Sequence, residues 1–326
     1  MKIKIKKYRF TDYIYHQIKP LLKIDNWHCW LAFGEDWLVI FFAVCISYCL
    51  SWYFYPLTIL LIGSRQRALA TLLHEASHHT IAKNCTLNFI MGTFLSGYLI
   101  LQSMSSYRKS HVKEHHAHFG QPEQDTDYQF ALSQGLYEQT LDAKTFRWRY
   151  IIAPLLLSKA PNYLKSLLTR RLLEQQNYLE VFAMALWWLI IIGVSVLGNL
   201  WQYLILFWLI PYVTVFQIIG WFIELAEHYP LMNNGVTLYM SRNRHSPFIE
   251  QFLTGMHNEN YHLVHHLFPS IPFWNIPKVH EILMQDPNYA QHDSQSGGIV
   301  WSNNDAPTIL LVKSDHRRSI VIGENE

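Results

Sequence analysis

The chemistry legible in this chain lies in the spacing of its histidines. Asn258 to Pro269 reads Asn-Glu-Asn-Tyr-His-Leu-Val-His-His-Leu-Phe-Pro, which sets His262, His265 and His266 at i, i+3 and i+4. Residues three and four apart are neighbours on a helix, so these three imidazoles share one side. Clustered imidazoles suit iron, zinc or copper. Two similar groups precede them: His74-Glu-Ala-Ser-His78-His79 and His111-Val-Lys-Glu-His115-His116-Ala-His118. His74 and His78 share a helix face, and His79 points away. In the second group strict helical geometry favours His111, His115 and His118. His116 then lies off that face, unless the helix ends or two metals are bridged, because adjacent positions diverge by about 100°.

About nine imidazoles without thiolates argue against a structural zinc site, which closes with four ligands, and imply two metal ions. A dinuclear iron site binds and activates O2 while keeping coordination positions open; copper or zinc pairs are also chemically compatible. The four cysteines (Cys29, Cys45, Cys49, Cys85) form no CxxC pair or disulfide-like framework, which fits a reducing compartment or burial.

The rest of the composition sets the context. Half of the 326 residues are apolar and only 15% are charged, against roughly 25% in soluble domains. With 12 Trp, 19 Tyr and 18 Phe, this describes a membrane protein with aromatic belts at the interfaces. A net charge of +2 gives no footprint for nucleic acid. The basic N-terminus lacks a following apolar h-region, so no cleavable signal peptide is expected.

The elements that must position the histidines are apolar helices. Residues 36–53 and a helix starting at Pro56, where proline suits the first turn, read as one hairpin. Arg65 and Arg67 follow soon after Pro56, so this second helix must leave lipid early, its arginines snorkelling or facing protein. Residues 86–104 are apolar but interrupted by Asn88, Gly92, Ser96 and Gly97, as in a re-entrant, interfacial or spanning segment. Residues 145–178 carry basic side chains beside Leu and Tyr, as amphipathic surface segments do. Leu179–Leu197 and Leu200–Ile223 form a second hairpin, turned at Gly198-Asn199. Both hairpin turns lack Lys and Arg, whereas the loops bearing histidines are rich in them. The positive-inside rule therefore puts both termini and all three clusters in the cytoplasm. Short β-like runs stand at 299–301 and 308–312. The expected organisation is a cytosolic segment over 1–35, a membrane domain over 36–285 and a polar cytosolic tail over 286–326.

The three groups resemble the histidine boxes of the membrane fatty acid desaturase and hydroxylase superfamily, H-x3-4-H, H-x2-3-HH and H-x2-HH. The matching residues are His74/His78, His111/His115/His116 and His262/His265/His266. His-His-Leu-Phe-Pro-Ser-Ile-Pro and the following Ile276-Pro277-Lys278 also look like the last box of that family, and the likeness spans roughly residues 36–285. It implies an all-α integral membrane fold: four transmembrane helices in two hairpins, under a helical cytosolic cap with two irons held by about nine histidines. His228 matches the extra histidine after the fourth span. Glu224 stands where relatives place a water-bridging polar residue, and a carboxylate there departs from the pattern. Asn258 is an alternative water-mediated contact, its other role being a helix cap. The second box has x3 spacing, and the resemblance favours His116 where helix geometry favours His118. Asp125 and Asp127 follow this box much as acidic residues do in relatives; they either orient ligand histidines or are plain surface acids. His245 and His280 belong to no box.

The function implied is that of an O2-dependent non-haem di-iron oxidoreductase acting on an acyl chain or related aliphatic substrate. A second hydrogen abstraction gives an alkene, whereas oxygen rebound gives an alcohol, so a hydroxylase acting on a lipid or a small amino-acid- or amine-like molecule is the alternative. No His-Pro-Gly-Gly haem motif is present. Electrons are therefore expected from a separate donor of ferredoxin or cytochrome b5 type, docking on the basic face. Two other classes fit less well. A zinc-dependent membrane hydrolase needs about three histidines and an activated water. A metal transporter places its ligands within the spans, whereas these follow them.

Overall fold

The computed structural model describes residues 5–138, 142–169 and 177–311, and the regular elements among them are helical. The one pairing of extended backbone among these residues is an isolated bridge between Lys6 and Val236. Helix α1 (His28–Cys45) is preceded by Asp25, whose Oδ1 accepts from the amides of Trp27 (3.1 Å) and His28 (3.2 Å). A wider turn over Ile46–Leu50 extends it, so the first apolar helix runs His28–Leu50 rather than 36–53. The acidic pair Glu35-Asp36 does not bound the helix. Asp36 is wholly buried, facing the Arg65 guanidinium at 3.4 Å and the His257 ring at 2.9 Å.

Helix α2 (Tyr55–Ser77) is the centre of the molecule. Every residue from Gly63 to Ser77 is buried, Arg65 and Arg67 included, so the arginines face protein rather than snorkel. Arg67 donates to Glu259 at 2.7 Å. These buried charges leave α2 outside the set of helices long and apolar enough to cross a membrane. That set comprises His28–Leu50, Tyr178–Leu197 and Trp201–His228. The stretch after α2 forms helix α3 (Cys85–Thr93), which continues to Ile100 and meets α4 (Met104–His116) at a bend of 92°. Leu101, with φ of 56°, makes that corner. If the bent pair counts as one span, the apolar helices among the described residues number up to four.

Two glycines set the packing distances around α2. A Cβ at Gly63 would lie 2.6 Å from the Val215 side chain, and one at Gly92 only 2.4 Å from Cβ of Ala76. Neither approach tolerates a side chain. Helix α5 (Tyr178–Leu197) turns at Asn199 into α6 (Trp201–His228). Leu179, Leu189 and Leu197 on α5 are 81%, 65% and 90% exposed, an apolar surface that water would not tolerate over such a length.

The core joins Leu69, Leu72, Leu73 and Ala76 of α2 to Leu263 and Val264 of α7 (His262–Leu267). Phe10, Ile14 and Ile18 pack into the same cluster, as does Tyr289, and the Tyr8 hydroxyl donates to Asp286 at 3.0 Å. The runs expected to be β-like are not strands. Glu250 accepts from the amides of Ile299, Val300 and Trp301, and Ile309–Leu311 is a 3-10 turn. Residue 312 lies outside the described residues.

Candidate metal centre

Four elements deliver histidines to one point. The last turn of α2 gives His74 and, at its cap, His78. The end of α4 gives His111, His115 and His116, the end of α6 gives His228, and α7 gives His262, His265 and His266. His74, His78, His111, His116 and His265 each offer a nitrogen within 4.8 Å of the others. His115, His228 and His266 form a second such group. His262 joins it, its Nε2 2.9 Å from that of His228 and 3.0 Å from that of His266.

The winding of α4 selects among the histidines of the second box. Arg108–His116 has π-helical bonding, in which i→i+5 contacts bring residues five apart into line. His111 and His116 therefore face each other with Nε2 atoms 3.0 Å apart, while His115 turns toward His266 at 3.3 Å. His118 lies outside both groups, on a surface hollow with Lys109 and Glu123. His79 is exposed beside Arg108, with φ of 61°. The Asn258 side-chain amide donates to the Phe273 carbonyl at 3.0 Å.

The rings meet Nε2 to Nε2: His74 with His265 at 2.7 Å, His74 with His111 at 3.1 Å, His265 with His116 at 3.0 Å. On the far side, Nδ1 of His115 faces Asp125 at 2.8 Å and Nδ1 of His262 faces Glu227 at 3.3 Å. A carboxylate on Nδ1 holds its proton there and leaves the Nε2 lone pair pointing inward. Lone pairs converging at such distances repel unless a proton or a cation lies between them. The buried Nε2 of His78 has no hydrogen-bond partner among the described residues. Such a donor set fits metal ions.

Electrostatics agree. Burial and the neighbouring rings push His111, His116, His262, His265 and His266 well below the usual histidine value of 6.5, so they stand as neutral donors at pH 7. His115 differs: burial lowers it, but Asp125 and Asp127 outweigh burial and raise it to about 9. The carboxylates favour positive charge on that ring, whether a proton or a metal ion supplies it.

A cavity opens beside the cluster, reaching His74, His111, His115, His228 and His262 and walled by Arg67, Tyr107, Asp127, Tyr163, Trp221, Glu224 and Leu225. Glu227 and Glu259 were not singled out from the sequence, although each sits within one residue of a residue that was. Their partners, Arg244 at 3.1 Å and Arg67 at 2.7 Å, are distant in sequence. A separate group, His245, His280 and Asp293, is tied by hydrogen bonds to Asn243 and Tyr289.

Comparison with known proteins bears on what the cluster is. The fatty acid desaturase family profile matches residues 50–295. The chain belongs to the fatty acid desaturase family. It is 36% identical over 322 residues to the dihydrorhizobitoxine desaturase of Bradyrhizobium elkanii, covering 96% of this chain and 91% of that one. It is 25% identical to the chloroplastic omega-3 fatty acid desaturase of Glycine max, covering 79% and 60% of the two chains. It is also 25% identical to the sn-1 acyl-lipid omega-3 desaturase (ferredoxin) of Nostoc sp. (strain 36), covering 83% and 78%. The protein is thus a membrane protein and a desaturase-type oxidoreductase, with histidine groups able to bind metal.

Proposed function

We propose that this desaturase-family protein uses O2 and two iron ions to convert a saturated C–C unit of an aliphatic substrate into an alkene. His74, His78, His111, His116 and His265 would hold one iron, and His115, His228, His262 and His266 the other. The observation that carries this reading is the inward convergence of Nε2 atoms, with Asp125 and Glu227 behind two of the rings. With iron held there, these residues would support reductive activation of O2 and removal of hydrogen from unactivated C–H bonds. The balance is R–CH2–CH2–R′ + O2 + 2 electrons + 2 H+ → R–CH=CH–R′ + 2 H2O.

The chain's own residues do the remainder. The carboxylates fix ring orientation, and the core around α2 keeps the histidine frame rigid. The cavity presents the substrate to the cluster, with Glu224 facing it. The electrons come from a separate donor of ferredoxin or cytochrome b5 type; one relative is named for ferredoxin. The basic side chains of 145–169 offer that donor a docking face. In the proposed topology His28–Leu50, α5 and α6 cross the membrane, and α2 returns the chain as the fourth span with only its first turns in lipid and its arginines against protein, leaving both termini and the histidines on the cytoplasmic side. The membrane domain, expected over 36–285, would begin at His28 with the first span, flanked by a cytosolic segment and tail.

The relative matched along most of both chains is named for dihydrorhizobitoxine, and the two more distant ones for fatty acids or acyl lipids. Mass spectrometry of lipids and polar metabolites from cells with and without the gene tests the reaction. A product two mass units lighter than its precursor supports desaturation. A gain of sixteen makes the protein a hydroxylase of the same family.

A further inference from the structure

The wall of the cavity is charged in a way a hydrocarbon tail does not satisfy. Five of its side chains other than histidine carry formal charge: Arg67, Asp127, Glu224, Glu227 and Glu259. Two of the carboxylates are paired within the protein. Glu227 meets Arg244 at 3.1 Å and the His262 ring at 3.3 Å, and Glu259 takes Arg67 at 2.7 Å and the Thr71 hydroxyl at 3.0 Å. Asp127 lies 3.6 Å from His115 Nδ1 but shares that ring with Asp125, which is closer at 2.8 Å. Glu224 makes no hydrogen bond or ion pair to any described residue. Arg67 is 93% buried, and its Nε has no hydrogen-bond partner among the described residues. One cavity therefore holds a carboxyl group with no hydrogen-bond partner among the described residues, a second that is weakly matched, and a guanidinium with donor capacity to spare. Such groups are costly to enclose unless the occupant completes them. The same space has apolar walls at Phe130, Trp221 and Leu225, and histidines on its remaining side.

We propose that this cavity binds a short zwitterionic aliphatic molecule, its carboxylate on Arg67 and its ammonium on Glu224 with Asp127, leaving its C–H bonds against the histidine cluster. The inference rests on the reading of that cluster as the oxidising centre only for what happens after binding. Recognition itself needs the charges alone. An acyl lipid would bury the same carboxylate and guanidinium against methylenes, and a lone fatty acid carboxylate would leave Glu224 unmatched.

The test is isothermal titration of the full-length, iron-loaded protein in detergent with L-norleucine, hexylamine, hexanoate and oleate, with iron assayed on the same samples. L-norleucine should bind roughly tenfold or more tightly than hexylamine or hexanoate, each lacking one charge-assisted contact, and oleate should not displace it. Glu224→Gln should keep its iron and lose the preference for L-norleucine over hexanoate, and Glu224→Asp should restore part of it. Arg67→Gln should remove the preference over hexylamine; because it also breaks the pair with Glu259, the Glu224 variants carry the decision. Tighter binding of oleate, absence of L-norleucine binding, or an unchanged preference in Glu224→Gln overturns the proposal. Loss of iron in Glu224→Gln also overturns it, since Glu224 would then serve the metals. Selective L-norleucine binding by a wild-type protein that takes up no iron would leave this inference standing and sink the di-iron reading instead.

Discussion

Asp125→Asn is the perturbation whose consequences the structure specifies most fully. Asp125 is wholly buried, and Oδ1 faces His115 Nδ1 at 2.8 Å while accepting from the amides of Asp127 (3.0 Å) and Tyr128 (3.1 Å). Oδ2 accepts from the Gly120 amide at 2.8 Å. An asparagine oriented to keep Oδ1 in place turns its NH2 toward the Gly120 N–H, so two donors meet and one charge-assisted bond is lost. That costs about 1–3 kcal/mol of folding stability. The larger signature is at the metals. Replacing the carboxylate behind a ligand histidine lowers metal affinity by about 10- to 100-fold, or about 1.4–2.7 kcal/mol. Asp127→Asn acts over 3.6 Å and 3.9 Å and should do less. The assay is iron retention against a graded chelator, with a melting curve to separate unfolding from metal loss. Asp125→Asn that retains iron like wild type while Asp127→Asn releases it would refute the orienting role.

His116→Ala should lose iron and His118→Ala should keep it, as read by elemental analysis; the opposite pattern would mean that the second box is wound as an ordinary helix in the working protein. His257, buried 2.9 Å from Asp36, is held above the usual histidine value, Asp36 outweighing burial. Its charged form thus favours the fold, and this stability is full below about pH 6.5 and lost as pH rises through the raised value. The melting temperature should accordingly fall as pH rises above about 6.5, and His257→Gln should flatten that slope; an equal slope in both proteins excludes this ion pair as its source. In cells, a cysteine placed at Gly198 should label from outside and one at His118 only after permeabilisation, and labelling of both from one side would break the proposed topology.

How far the sequence carried depends on whether each signal was local. The apolar runs and the i, i+3, i+4 pattern of α7 depend on short-range periodicity, and both are visible in the chain. Helix α1 starts before the purely apolar run because Asp36 is buried against Arg65 and His257, partners far away in sequence. The polar half of α2 is similar: Arg67 finds Glu259, 192 positions away, and the cost of burying it is legible only with that partner. In the second box the helical period itself changed. A π-wound segment brings His116 beside His111, and no propensity rule signals that winding. The run at 299–301 has strand-like composition, but Glu250 takes its amides before another strand can.

The most direct measurement of the central claim is the metal content of the purified full-length chain by inductively coupled plasma mass spectrometry. Two groups of inward-facing imidazoles predict two iron atoms per chain in the active protein. A single zinc per chain with full activity retained would contradict it.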